Sequence, residues 1–247
     1  MIKEEPEFYA GEDEARAVGY DADVDLFVPG YQVMQLFART FLTHSIPEQG
    51  NLLIPGCGTG NELVQFAEAH PGWTVTGVDP AEPMLRQARE KVEARGLSNV
   101  VFHHGYVHDL PEEQRFDGAI SLLTMHFIPD DGRQSDFLRD ISSRLAPGAH
   151  LVLVNLSVDS PDLVRKYFFP AIKEWQISLA KAHFPEAWEN NRQGTLKYID
   201  DCLEEQINTI HHVSEPRLRD MMTLAGFKDV MRFFTLFHYR GWIAVKA

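Results

Sequence analysis

The sequence contains little cysteine, since its 247 residues include only Cys57 and Cys202. Two cysteines far apart in the chain do not make a disulfide framework, and they cannot complete a tetrahedral zinc site unaided. We therefore expect a protein of a reducing compartment, without a structural metal site.

Long apolar segments are also missing. No stretch of about 18 apolar residues occurs, so no membrane-spanning helix is predicted. The opening residues, MIKEEPEFYAGEDEARA, are acidic and lack the apolar centre of a signal peptide. These absences predict a cytoplasmic protein with no membrane partner.

Basic residues are the third shortage. The 23 basic and 36 acidic residues give a formal net charge of -13, and a field of that sign repels the phosphates of a nucleic acid. Nucleic acid is therefore an unfavourable partner. The hydrophobic content of 44% suits one globular domain of generous size, or one domain with an insertion.

Short apolar runs alternate with longer amphipathic stretches from residue 51 onward, a pattern typical of a doubly wound α/β sheet. It predicts strands at residues 52–54, 74–79, 99–104, 116–123 and 150–156. The predicted helices cover residues 61–70, 81–96, 131–148 and 215–227, and Pro147 and Gly148 end the third of them. Two final strands joined by a short turn predict an antiparallel hairpin that closes one edge of the sheet.

Four segments follow from this pattern. Residues 1–50 are expected to form an N-terminal helical cover, residues 51–156 a cofactor-binding core, and residues 157–212 a helical lid insertion. Residues 213–247 would supply a helix and the hairpin that completes the core sheet. We expect both helical segments to lie over the carboxyl edge of the sheet, where open α/β folds bind ligands.

The stretch LLIPGCGTGNE, residues 52–62, places a glycine turn directly after the first strand. Its spacing, Gly56-Cys57-Gly58-Thr59-Gly60, is G-x-G-x-G rather than the dinucleotide pattern G-x-G-x-x-G, and a plain structural turn is the alternative. Asp79 ends the second strand, where a carboxylate can accept hydrogen bonds from both ribose hydroxyls. Together the turn and the acid indicate a bound nucleoside.

These segments resemble the class I S-adenosylmethionine-dependent methyltransferases. LLIPGCGTGNE is similar to the first motif of that family, GVDPAEPML to its ribose motif, VVFHHGYVHDLP to its adenine motif, and FDGAISLLTMHFIPD and LAPGAHLVLVN to its fourth and fifth motifs. The resemblance implies a Rossmann-like, mostly parallel sheet of seven strands with an antiparallel last strand. It also implies S-adenosyl-L-methionine as the cofactor.

The resemblance assigns the cofactor site residue by residue. Gly56, Cys57 and Gly58 would line the methionine part, Asp79 and Pro80 the ribose, and Tyr106 and Val107 the adenine edge. Ser121 and Leu122 would lie beneath the sulfonium. The remaining positions implied as cofactor-binding are Tyr31, Thr59, Gly60 and Met84.

The sequence departs from the family pattern at Ile54, at Tyr106 and near Leu122, where the asparagine of the family is absent. Ile54 stands where methyltransferases usually carry an acid, and Tyr106 stands where the adenine motif usually has an aspartate. The Tyr106 phenol or Asp109 would have to replace that contact. Each lost hydrogen bond to the cofactor would weaken binding by about 0.5 to 3 kcal/mol.

Methyl transfer needs alignment and a deprotonated nucleophile, and His126 is the candidate base because its ordinary pKa suits proton acceptance near neutrality. The alternative is that His126 packs beside Phe127. A metal site at His103, His104 and His108 is not predicted, because neighbours on a strand point to opposite faces. Aromatic residues of the insertion would form an acceptor cage or pack as a lid: Trp175, His183, Phe184, Trp188 and Tyr198.

We therefore predict a methyltransferase acting on a small-molecule acceptor. One alternative is an enzyme like carboxy-S-adenosylmethionine synthase, of transfer RNA wobble-uridine modification, which DLFVPGYQVM and the C-terminus resemble; it would use prephenate and need a buried cation near the sulfonium. The other is a non-catalytic protein that binds the cofactor or a partner. The N-terminal segment and the hairpin edge favour a homodimer.

Overall fold

A single mixed sheet of seven strands organises the chain, which a computed structural model describes over residues 14–208 and 210–247. The strand order is β3-β2-β1-β4-β5-β7-β6, with β1 to β5 parallel and β7 antiparallel to both of its neighbours. The strands are β1 Asn51–Pro55, β2 Thr74–Asp79, β3 Val100–His104, β4 Phe116–Leu122, β5 Leu145–Leu156, β6 Phe227–Leu236 and β7 Tyr239–Lys246. The predicted doubly wound sheet and its terminal hairpin are confirmed.

Helices cover both faces of this sheet. Their apolar residues recur at helical spacing, as in α4, where Leu85, Ala88 and Val92 are buried. In the described residues the helices are α1 Glu14–Phe27, α2 Tyr31–Ser45, α3 Asn61–Ala69, α4 Glu82–Ala94, α5 Arg133–Arg144, α6 Pro161–Leu163, α7 Phe169–His183, α8 Pro185–Asn190, α9 Arg192–Asn208 and α10 Glu215–Leu224.

The core is divided by the sheet into two apolar layers. Along β1, Leu52 and Ile54 belong to the layer under α2 and α3, whereas Leu53 belongs to the layer under α5 and α10. This alternation follows from the pleat, which points successive side chains to opposite faces. Both faces of β1 are therefore apolar, as a central parallel strand requires.

The start of β5 corrects the sequence prediction. Helix α5 ends at Arg144 rather than at Pro147, and β5 already begins at Leu145. Leu145 pairs with Phe116, but the next pair along is His150 with Gly118, so β5 carries extra residues in a bulge. Pro147 lies there because it has no backbone N-H for the ladder.

The segment after β5 is helical, as predicted, and has an apolar cluster of its own. A π-helical turn over Val164–Phe168 connects α6 to α7. Val158, Ile172, Ile199 and Leu203 are buried together there. Nowhere in residues 14–208 and 210–247 is a helix both long enough and apolar enough to cross a membrane.

Candidate functional site

The glycine turn leaves β1 with left-handed backbone angles that favour glycine. Gly56, Gly58 and Gly60 have φ of 69°, 51° and 81°. A Cβ at Gly56 would lie 2.2 Å from Thr124 Cγ2, and one at Gly60 would lie 2.8 Å from Ala88 Cβ. At Gly58 a Cβ would meet nothing within 4 Å. The outer two glycines are thus required by packing, whereas Gly58 faces open space that a ligand can enter.

Asp79 lies beside this turn at the tip of β2 and is only 5% exposed. Its Oδ2 accepts a hydrogen bond from the Gly58 amide at 2.8 Å, and its Oδ1 accepts one from the Ala81 amide at 2.9 Å. Burial raises the pKa of this carboxyl, and the two amides act against that shift. A carboxylate has further lone pairs, so Asp79 can still accept ribose hydroxyls.

A small pocket, called the cavity below, opens between the turn, the end of β4 and the helices α1 and α2. Five of the predicted residues line it: Tyr31, Gly56, Cys57, Thr59 and Leu122. The other lining residues, which the sequence analysis did not identify as site residues, are Tyr20, Asn61, Glu62 and Leu123. The wall therefore combines phenol, amide and carboxylate groups with an apolar end, which fits the amino-acid end and sulfonium of the expected cofactor.

Helix α1 covers the turn through Asp21. The Asp21 carboxylate accepts hydrogen bonds from Thr59 Oγ1 at 2.7 Å and from Asn61 Nδ2 at 3.0 Å, and it forms an ion pair with Lys91. Burial acts to raise the pKa of Asp21, but Lys91 and Thr59 outweigh it, and the pKa is lowered. Asp21 is therefore ionised near neutral pH and holds α1 against the first turn of α3.

Glu62 is the carboxylate of the cavity wall. Its Oε1 accepts hydrogen bonds from Gln35 Nε2 at 2.8 Å and from the Tyr31 hydroxyl at 3.4 Å. Burial raises the pKa of Glu62 to about 7, even though part of the side chain remains accessible from the cavity. Burial likewise raises the pKa of the neighbouring Cys57 thiol, which therefore stays protonated.

The loop after β3 is built around Asp109. Its Oδ2 accepts a hydrogen bond from the Tyr106 amide at 2.8 Å, and the Tyr106 ring stacks on His108 with centroids 5.5 Å apart. Val107 is buried beneath, and Met84 is half-buried on the first turn of α4. Asp109 thus occupies the loop in which the family pattern has an aspartate at position 106.

Ser121 and Pro80 have structural contacts of their own. The Ser121 hydroxyl is fully buried and donates to the Pro55 carbonyl at 3.0 Å, so it joins β4 to β1 and does not line the cavity. The Pro80 carbonyl lies 2.9 Å from His104 Nε2, next to the predicted ribose acid. The predicted cofactor role of both residues stays a prediction.

His126 lies apart from the cavity. It is buried, its Nδ1 lies 3.0 Å from Asn155 Oδ1, and its ring centroid lies 4.4 Å from that of Phe127. Burial, together with the nearby His212 and His238, lowers the pKa of His126 to about 3, and the Asn155 hydrogen bond acts against that shift. The packing alternative agrees with these contacts, and the catalytic role stays a prediction whose premise of a near-neutral pKa does not hold here.

Three imidazoles meet beyond the carboxyl ends of β4 and β5, and we call His126, Asn155, His212 and His238 the histidine cluster. The rings of His212 and His238 have centroids 6.3 Å apart. Burial lowers the pKa of His212 to about 4 and that of His238 to about 3. The buried atoms without a hydrogen-bond partner include both ring nitrogens of His212, Nδ1 of His238 and Nδ2 of Asn155.

The aromatic residues of the insertion do not form one cage. Trp188 lies between two cations, with Lys181 Nζ 4.9 Å and Arg192 Cζ 5.3 Å from its ring centroid. Tyr198 packs edge-on against Phe27, with centroids 5.4 Å apart, and Phe184 is exposed. These contacts agree with lid packing, the alternative interpretation, and the acceptor cage stays a prediction.

Comparisons with known proteins agree with the fold and the turn. The family described as "Methyltransferase domain" matches residues 53–148. A demethylmenaquinone methyltransferase of Listeria monocytogenes is 34% identical over 174 residues, which cover 66% of this chain and 72% of the relative. A carboxy-S-adenosyl-L-methionine synthase of Campylobacter hominis is 28% identical over 249 residues, which cover 99% of this chain and 96% of the relative.

Among solved structures, the Burkholderia thailandensis 1,6-didemethyltoxoflavin-N1-methyltransferase with bound 1,6-didemethyltoxoflavin and S-adenosylhomocysteine is similar, with a TM-score of 0.61 and 20% sequence identity. The match covers 100% of this chain and 92% of that structure. At this identity the likeness concerns the fold alone.

Proposed function

Because the chain belongs to the class I S-adenosylmethionine-dependent methyltransferases, we propose that it transfers the methyl group of this cofactor to a small-molecule acceptor. The observation that carries the proposal is the cavity beside Gly56 and Leu122, which is lined by Tyr20 of α1 and by Tyr31 of α2. A polymer would need a longer open groove. The net charge of -13 also disfavours a nucleic-acid acceptor.

S-adenosylmethionine supplies an electrophilic methyl group on its sulfonium. The task of the protein is then to hold and orient both reactants, because alignment accounts for much of the rate in a displacement of this kind. Asp79 would hold the ribose, and the open backbone at Gly58 would line the methionine part. Leu122 and Leu123 would give the sulfonium an apolar wall that keeps water away.

The acceptor would approach from the side of the residues that follow β5. That segment is helical and carries its own apolar cluster, so it can cover a compact molecule. The relatives act on different acceptors by their names, a quinone precursor in one case and a toxoflavin precursor in another. Their names support a small acceptor but do not select one.

A second candidate is a carboxy-S-adenosylmethionine synthase activity. It is favoured by the similarity to the Campylobacter hominis enzyme, which extends over 99% of this chain. Binding an additional carboxylate would need a cation close to the sulfonium. In the part of the chain that the structure describes, the residues lining the cavity include the acid Glu62 but no lysine or arginine. The cavity therefore suits methyl transfer better.

Calorimetric titration with S-adenosylmethionine and S-adenosylhomocysteine tests the cofactor site first. The test of the acceptor uses the ³H-methyl form of the cofactor with fractionated cell extract. Label in the fraction below about 1 kDa supports the proposal, whereas label in the RNA or protein fraction contradicts it. Mass spectrometry of the ligand retained during purification distinguishes methyl transfer from the synthase activity. Cofactor binding without turnover on any fraction favours the non-catalytic alternative.

The predicted homodimer is a separate proposal. The edge strand β6 exposes Met231, and α2 exposes Val33, Leu36 and Phe37 on the same side as the Phe41–Phe233 aromatic contact. An unpaired edge beside an apolar helix face suits a symmetric contact. Light scattering after size exclusion measures the mass directly, and a monomer at every concentration tested contradicts the homodimer.

A further inference from the structure

Glu62 is a titratable group of the cavity to which the sequence motifs give no role. It is the second residue of α3 and lines the cavity together with Tyr31, Gly56 and Leu122. The Lys91 ammonium acts on it through space, but that ammonium makes its own contacts with Asp21 and with Asn61 Oδ1. The partners of the Glu62 carboxylate are instead the neutral groups of Gln35 and Tyr31.

The strand order indicates which end of the cofactor reaches Glu62. The predicted ribose acid, Asp79, ends β2, and the adenine loop at Val107 follows β3. These strands lie on one side of β1, and β4 lies on the other. With the nucleoside beyond β2 and β3, the amino-acid end must cross the glycine turn toward Leu122, which is where the cavity lies.

That end of the cofactor carries an α-ammonium group, which prefers a carboxylate partner in a site shielded from water. No carboxylate is available on β1, because position 54 is the buried Ile54. Resting on the cofactor assignment above, we infer that Glu62 binds the α-ammonium of the methionine part and so supplies the acidic group that Ile54 does not. Glu62 is thus a positioning residue for the methyl donor.

The proposed contact between Glu62 and the ammonium group should release a proton that can be measured. The free protein has a Glu62 pKa of about 7, so a fraction of the carboxyl groups is protonated at pH 7. An ammonium placed against the carboxylate favours the ionised form, and the site then releases a proton when the cofactor binds. The titratable groups that face Glu62 are Tyr20 and Asp21 on α1, Tyr31 on α2, Lys91 on α4 and Cys57 in the turn.

The test replaces the carboxylate by an amide of the same shape, Glu62→Gln, which can keep contacts with Tyr31 and Gln35. Calorimetry compares S-adenosylhomocysteine with 5′-methylthioadenosine, a ligand that has the nucleoside and sulfur but no amino-acid end. We expect the Kd of S-adenosylhomocysteine to rise at least tenfold and that of 5′-methylthioadenosine to stay within twofold. The matched control is Glu68→Gln on the exposed side of α3, where Glu68 pairs with Arg95 at 3.2 Å.

A second measurement is made first on the wild type. Titration of the wild type with S-adenosylhomocysteine at pH 7, in two buffers of different ionisation enthalpy, should show release of a fraction of a proton. The release should be absent for Glu62→Gln. A wild type that releases no proton, or a variant that loses both ligands equally, would overturn the inference and make Glu62 a structural link between α2 and α3. A wild type that binds neither ligand would instead overturn the cofactor assignment itself.

Discussion

Two polar clusters lie at the carboxyl edge of the same sheet, and burial shifts the pKa values of their side chains in opposite directions. The cavity side holds carboxylates, of which Glu62 has its pKa raised to about 7. The histidine cluster holds imidazoles, of which His126 has its pKa lowered to about 3. Burial is the main cause in both cases, because it penalises whichever form is charged. A cavity that receives a cation can use a carboxylate, whereas the imidazoles stay neutral and pack.

The largest effect that separates the two regions should be acid destabilisation. The folded pKa values of His126, His212 and His238 are about 3, 4 and 3, below the ordinary value of 6.5. Between pH 6.5 and these values the unfolded chain binds more protons, so the free energy of unfolding falls as the pH falls. Each such group contributes up to about 1.4 kcal/mol per pH unit.

Urea unfolding at a series of pH values from 7 to 4.5 measures this slope. His238→Phe should flatten it, and His183→Gln, which changes an exposed histidine at the end of α7, should leave it unchanged. An unchanged slope in His238→Phe would mean that the histidine cluster does not cause the loss of stability at acid pH.

The next largest effect concerns the two glycines that flank Cys57. Gly56→Ala places a Cβ 2.2 Å from Thr124 in a left-handed backbone and should cost about 2–5 kcal/mol of folding free energy. Gly58→Ala meets no atom within 4 Å and should cost only about 1–2 kcal/mol, the backbone penalty alone. Cofactor affinity should show the opposite order, with the larger loss in Gly58→Ala, because Gly58 faces the open space that the ligand enters. Urea unfolding measures the change in stability, and calorimetry measures the change in affinity.

Asp79→Ala should weaken S-adenosylhomocysteine binding at least 100-fold, which corresponds to about 2.7 kcal/mol. It removes the expected ribose acceptor and leaves the Gly58 amide without its 2.8 Å partner. Asp117→Ala is the matched control, because Asp117 Oδ2 also accepts a backbone hydrogen bond, from Asn51 at 2.8 Å, but at the other end of β1. Equal loss of affinity in both variants would show a general loss of structure rather than a lost contact.

Glu62→Gln should raise stability at pH 8 by about 1–3 kcal/mol while it weakens the cofactor contact. The folded pKa of Glu62 is about 7 against an ordinary 4.5, so the folded state binds more protons between these values. Its stability contribution is therefore present at low pH and is lost as the pH rises through 7. Thermal unfolding at pH 5 and pH 8 should show a gain only at pH 8, and a loss at both values would contradict the assignment of a buried charge.

The smallest effect should be that of His126→Gln on cofactor affinity, with a change in Kd of less than twofold. His126 contacts Asn155 and Phe127 rather than the cavity, so the variant should act through packing. Comparing kcat with KM across pH, once an acceptor is known, tests the predicted base role. A kcat loss that moves with pH would support that role, and a uniform loss would support packing alone.

The strands and the glycine turn were predictable because their signals are local in the sequence. Asp79 follows a β-branched strand and Gly56 follows an apolar one, so the fold brings them together by parallel pairing alone. The β5 start was missed because Pro147 and Gly148 are typical of a helix end, and only the pairing of Leu145 with Phe116 shows the bulge.

The residues missed at the site have no local signal. Glu62 is an acid in a first helical turn, which usually only complements the helix dipole. Its burial depends on Tyr31 and Gln35, which approach from a different helix. In the sequence, the whole lid and α10 lie between Asn155 and His238. The antiparallel pairing of β5 with β7 brings these two residues close together in the fold. Such convergence depends on tertiary packing, which composition and spacing do not report.

The anchoring of α1 by Asp21 has a kinetic consequence. The helix is held on the turn by hydrogen bonds to Thr59 and Asn61 and by an ion pair with Lys91, each worth about 0.5–1.5 kcal/mol in net terms. Ala17, Val24 and Phe27 of the same helix are buried as well, so opening α1 would also expose apolar surface and should slow exchange. Helix α1 should therefore lengthen the residence time of a bound molecule and make its arrival slower than diffusion allows.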